Sequence, residues 1–130
     1  MTARGRPTLL GACYDASSSF LRGPAEAPAA IRRELQSTAS NAWSEGLFLV
    51  KPGVAWADAG DVALGDDPRR AIEDGVARLL DDGRRPFVLG GDHSVTYPVL
   101  RAVRRHHLSL TVLHLDAHND LYDRFEGDPF

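Results

Sequence analysis

Residues 110–120 read LTVLHLDAHND, an apolar, partly β-branched run that breaks into Asp116, His118 and Asp120. Such a run predicts a strand over 110–115, buried on both faces as in a parallel sheet. The polar triplet then falls at or just past the strand's carboxyl end, where open α/β sheets bind ligands. Two carboxylates and an imidazole this close together repel, or bury charge at high cost, unless a cation gathers them. Oxygen and imidazole donors suit a divalent ion of the manganese, iron or zinc kind. The competing reading is a helix-capping aspartate with a solvated histidine and aspartate in an ordinary strand-to-helix loop.

An earlier stretch repeats the arrangement. Residues 86–94, PFVLGGDHS, form a short apolar strand ending in two glycines and His93. Gly90 and Gly91 permit close approaches that a Cβ would forbid. Taken alone, His93 reads more simply as a turn residue near a helix start. Two apolar strands that each end in metal-type ligands, with a helical pattern between them, point instead to one shared site.

In this order and spacing, GGDHS at 90–94 and DAHND at 116–120 resemble the first two signature boxes of the ureohydrolases, the arginase and agmatinase family. The stretch GPAEAPAAIRREL at 23–35 is a looser match to that family's region after its first strand, and VAWADAGDV at 54–62 to its second-strand region. The resemblance implies a two-manganese site in which His93 ligates one ion and His118 the other. Asp116 bridges both, and Asp120 joins His93. Asp92 has no ligand role in that pattern and is expected to support the turn. The implied fold is a three-layer α/β/α sandwich around a parallel sheet. The implied reaction is hydrolysis of a small cationic guanidino compound to urea and an amine, by a protein that forms a homo-oligomer when complete.

The family closes its site with a third box of the S-x-D-x-D-x-x-D-P kind, which does not occur here. Residues 1–130 therefore read as the N-terminal portion of a ureohydrolase domain, truncated, carrying part of the site and inactive by itself. In the family's sheet, later strands separate those of the two boxes. Strands at 86–89 and 110–115 are thus expected to expose edges unless they pair with each other. The loop LYDRFEGDPF after Asp120 lacks the Asn-containing signature with which arginases recognise an amino-acid end, and this favours an agmatine-like substrate. Two other readings stay open: a non-catalytic remnant or partner of another chain, and a metal-dependent deacetylase-type hydrolase.

The rest of the chain fits a soluble α/β piece. With 130 residues and a net charge of −3, it has room for one domain and no basic stripe for nucleic acid. No apolar run approaches a membrane span, and no signal-peptide layout is present. The lone Cys13 excludes an internal disulfide and suits a reducing, cytoplasmic setting; it reads as a buried, inert thiol. Thr8–Ala12 is the expected first strand, and Ser17–Ser19 a flexible loop without a nucleophile elbow. Helices are expected from Pro28 to about Gln36, from Pro68 to about Asp82 and from Val95 to His107. The second shows Ile72, Val76, Leu79 and Leu80 on one face and Gly83 as its stop. Arg104, Arg105, His106 and His107 should sit at a solvated helix end, where cations suit the dipole. Asp58 and Asp61 are read as turn and capping residues rather than ligands.

Overall fold

The computed structural model describes residues 5–39, 41–121, 123, 124 and 127. Three parallel strands form its sheet in the order β2-β1-β3, with β1 spanning Pro7–Ala12, β2 Ala57–Asp61 and β3 Arg85–Gly90. Helix α1 (Ala27–Leu35) lies between β1 and β2 in sequence, α2 (Pro68–Asp81) between β2 and β3, and α3 (Thr96–His106) follows β3. The connections are those that parallel pairing requires, a helix returning the chain to the start of the next strand.

β1 is the central strand, and alternation along it separates the two faces. Leu10 and Ala12 point into a core with Ile72, Val76 and Leu79 of α2, Ala102 of α3 and Val95. Gly75 belongs to the same helix face. A Cβ there would lie 3.1 Å from a Val62 methyl, so α2 packs closely on the sheet. The other face of β1 receives α1, whose Arg32 reaches the position opposite Gly11. Helix α2 begins with Asp67 accepting a hydrogen bond from the Arg70 N–H at 3.0 Å, and ends before Gly83, which adopts a positive φ of 69°. Between α2 and α3, the Glu73 carboxylate, with only 4% of its side chain exposed, is held by Arg101 and Arg105. The basic end of α3 therefore also serves an ion pair, beyond complementing the helix dipole.

One expected element is missing. Residues 110–115 form no strand, and they pair with neither β3 nor any other described strand. Instead of being buried on both faces, Leu113 and Leu115 are 84% and 87% exposed. The reason is geometric. A groove of about 560 Å3, lined by Val88, Val95, Val99 and Val103 and reaching Asp116, is left open beside β3 where no strand pairs with it. An apolar run becomes a strand only when a hydrogen-bonding edge lies within reach. Tyr122 and most of the loop after Asp120 lie outside the described residues. Among the described residues, no helix is long and apolar enough to cross a membrane.

Candidate metal centre

The site is built at the carboxyl ends of β1 and β3. Past β3, the Gly91 N–H donates to the Ala12 carbonyl at 3.0 Å and the Asp92 N–H to the Tyr14 carbonyl at 2.8 Å. The two exit loops thus stay laced together beyond the sheet. Gly91 makes this possible: a Cβ there would fall 1.7 Å from the Tyr14 oxygen. Asp92 then fixes the turn. Its Oδ1 accepts from the Ser94 N–H at 3.0 Å and the Ser94 hydroxyl at 2.5 Å, and its Oδ2 accepts from the Ser17 N–H at 2.9 Å. Asp92 therefore supports the turn, and Ser17 is tied into the same network.

This bracing presents His93 at the head of a short 3-10 turn (His93–Val95) leading into α3. Its Nδ1 lies 3.2 Å from the Thr96 hydroxyl, which leaves Nε2 facing Asp120 Oδ2 at 2.9 Å. A histidine anchored through one ring nitrogen, with the other turned toward carboxylates, is arranged as metal ligands commonly are. Thr96 was not singled out in the sequence, because a helix N-terminal threonine is unremarkable until its partner is known.

The second segment supplies the acids. Asp116 Oδ1 accepts from the His118 N–H at 3.0 Å, folding the chain into a tight side-chain-closed turn. That hydrogen bond, helped by the Ala117 N–H and the nearby imidazoles of His114 and His93, holds the Asp116 carboxyl below its ordinary range. Asp116 is therefore an anionic donor at neutral pH. Asp120 takes a left-handed backbone with φ of 47°, a conformation that aspartate tolerates better than most residues.

Of the four residues singled out in the sequence, three come together: His93, Asp116 and Asp120. His118 stays at the rim. Its Nδ1 is 3.4 Å from Asp116 Oδ1, but its side chain is 79% exposed and lies outside the cluster. The fourth member is His114, whose donor atom lies with those of His93, Asp116 and Asp120 inside a spread of 4.8 Å. Two imidazoles and two carboxylates, with no thiolate, match the chemistry of manganese, iron or zinc rather than of a thiophilic ion. Cys13 is half-buried, and burial with the neighbouring Asp61 charge pushes its thiol pKa up, which keeps it in the unreactive form.

Asp58 and Asp61 also lie outside this cluster. Asp58 does close a turn, accepting from the Gly60 N–H at 2.9 Å, but both aspartates chiefly grip Arg32 of α1.

Comparison with known proteins agrees with this geometry. Residues 6–130 match the model of the arginase family. The chain is 41% identical to "Arginase 1, mitochondrial" of Arabidopsis thaliana, covering 98% of this chain and 41% of that protein. It is 35% identical to an agmatinase of Bacillus anthracis, covering 93% of this chain and 42% of the relative. The solved arginase of Medicago truncatula superposes with a TM-score of 0.88 at 34% identity, over 98% of this chain and 44% of that one. The chain thus spans about two-fifths of the length of the curated relatives it matches. A parallel sheet with helices on it, the meeting of residues from both boxes in one donor cluster and a family match across nearly the whole sequence agree: this chain belongs to the arginase family.

Proposed function

We propose that the complete protein hydrolyses a small cationic guanidino compound to urea and an amine at a two-manganese site to which this chain contributes His93, Asp116, His118 and Asp120. The observation that carries the reading is the meeting of His93, from the end of β3, with Asp116 and Asp120, from a segment far along the chain, within one cluster of donors. When bound, divalent ions supply Lewis-acid chemistry and make water nucleophilic at neutral pH. The chain's own residues do the rest. Thr96 sets the ring orientation of His93, and Asp92 stiffens the turn that carries it. Asp116 and Asp120 would offset part of the positive charge of the ions they hold, which lowers the repulsion that a cationic guanidinium meets at the site. A reducing, cytoplasmic setting belongs to the same reading and is supported by the single thiol.

For the substrate, we favour agmatine or a related decarboxylated guanidino compound, because residues 121–130 lack the arginase-type signature. Arginine is the second reading. It is supported by the plant arginase, which matches at 41% identity where the bacterial agmatinase matches at 35%. Urea release by the full-length protein from agmatine, guanidinobutyrate and arginine decides between them. Faster turnover of arginine overturns the first choice. No urea from any guanidino substrate in the presence of manganese overturns the function.

A further inference from the structure

The stretch between α1 and β2 contributes nothing to the donor cluster. Residues 42–50 fold back as a short hairpin in which Trp43 and Leu49 are antiparallel partners. The Ser44 N–H donates to the Phe48 carbonyl at 3.0 Å, and the Val50 N–H to the Ala42 carbonyl at 2.7 Å. At the tip, Leu47 takes a left-handed backbone with φ of 59°. Beyond the hairpin, the Arg6 guanidinium donates to the Gly53 carbonyl at 2.8 Å. Arg6 and Gly53 precede β1 and β2, so the hairpin is rooted at the amino ends of the strands, away from the candidate metal centre.

Its apolar side chains are left in the open. Leu47 is 79% exposed, Phe48 74%, Trp43 58% and Val50 46%. The ladder decides what else faces outward. Trp43 and Leu49 are a non-hydrogen-bonded pair, flanked by the two hydrogen bonds, so the N–H and C=O of Leu49 turn away from the partner strand. Phe48 and Val50 share one face of the hairpin, and Leu49 lies with Trp43 on the other. An edge that joins outward backbone groups to exposed apolar side chains is a template for another strand.

We propose that the strand at 48–50 pairs with the same strand of a second copy of this chain, antiparallel about a two-fold axis at Leu49. Register and charge both select an identical partner. In that register Leu49 faces its own counterpart and exchanges two hydrogen bonds with it, while Phe48 of each copy faces Val50 of the other. Residues 41–50 carry a single charge, Glu45, and Lys51 follows directly. Antiparallel pairing brings the turn of each copy, with Glu45, toward the base of the other, with Lys51. Two opposite-charge pairs then flank an apolar centre, in a chain whose net charge of −3 otherwise repels its own copies. Covering the four exposed side chains in both copies removes on the order of 1,000 Å2, near the roughly 1,200 Å2 at which specific interfaces begin. The contact is independent of the reading of the metal centre.

The test uses the full-length protein. Phe48→Glu places a carboxylate in the apolar centre and should halve the mass measured by sedimentation equilibrium. Leu49→Cys should give a covalent dimer under mild oxidation, absent from the unsubstituted protein, because directly opposed residues of a hydrogen-bonded pair have Cα atoms about 5.5 Å apart, within disulfide reach. Circular dichroism checks that both variants fold, and Leu49→Cys carries the test by itself if Phe48→Glu does not. Unchanged mass of a folded Phe48→Glu, or no covalent dimer from Leu49→Cys, overturns the proposal. So does a monomeric unsubstituted protein, which would assign the hairpin to the rest of the chain or to a different protein.

Discussion

Arg32 grips Asp58 through two parallel hydrogen bonds, Nε to Oδ2 at 2.8 Å and Nη2 to Oδ1 at 3.0 Å. The same guanidinium donates to Asp61 Oδ1 at 2.5 Å and to the Gly60 carbonyl at 2.9 Å. One side chain of α1 thus gathers the whole end of β2. Gly11 of β1 leaves room for it, since a Cβ there would lie 1.9 Å from Asp61 Oδ1.

Arg32→Ala should lower unfolding stability by about 2 kcal/mol, the range for hydrogen bonds to charged groups that lose their partner. Arg32→Lys should recover less than half, because an ammonium cannot reproduce the planar fork. Urea unfolding of the three proteins measures both effects. Equal stability of the lysine and arginine forms would show that charge alone suffices.

The same clasp sets a pH dependence. Arg32 holds the Asp58 carboxyl below its ordinary range, with burial opposing and the Gly60 N–H assisting. A folded-state value below the unfolded one means the stabilisation is present above the ordinary aspartate range and is lost as pH falls through the depressed folded value. Stability measured from pH 7 downward should therefore decline, and Asp58→Asn should flatten that decline while lowering the plateau. An unchanged acid limb in Asp58→Asn counts against the clasp as its source.

Gly91→Ala should destabilise the protein by about 3 kcal/mol or more, as backbone would have to move to relieve the overlap with Tyr14. Gly90→Ala meets only a Val95 methyl at 2.9 Å, the end of a side chain, and should cost clearly less. Thermal unfolding of the pair orders them, and a milder effect at Gly91 would disprove the close approach between the two exit loops.

Thr96→Val should weaken metal binding about tenfold while leaving the fold intact, because it frees the ring of His93. Thr96→Ser, which keeps the hydroxyl, should bind nearly as well as the unsubstituted protein. Equilibrium dialysis against Mn2+ checks both. Normal binding by the valine variant would mean that the 3.2 Å contact has no orienting effect.

Much of this arrangement could be read from the chain. Helical periodicity placed α2 and α3 within a residue or two, and the strand of PFVLG ends where its glycines begin. What escaped was whatever depends on a distant partner. The run at 110–115 has every composition mark of a buried strand, yet pairing is a property of two edges, and composition describes only one. His114 was hidden inside that run for the same reason: the run was read as one apolar strand, with its polar residues beginning at Asp116. A period-two reading would have put it on the side of Asp116, two residues on. Asp58 and Asp61 looked like turn residues because their partner, Arg32, lies on another element.

The donors at the candidate centre come from two stretches that share no backbone ladder, the turn after β3 and the segment beyond residue 113. An ion shared between residues 93 and 120 would close a ring of chain that contains all of α3. Such a closure removes freedom from the unfolded ensemble in the manner of a disulfide, and the longer the ring the greater the effect. Because the tie is reversible, its strength follows mass action, growing with the logarithm of free cation over the dissociation constant. The supply of divalent cation would then act as a folding effector, deciding how often this end of the chain is docked at all.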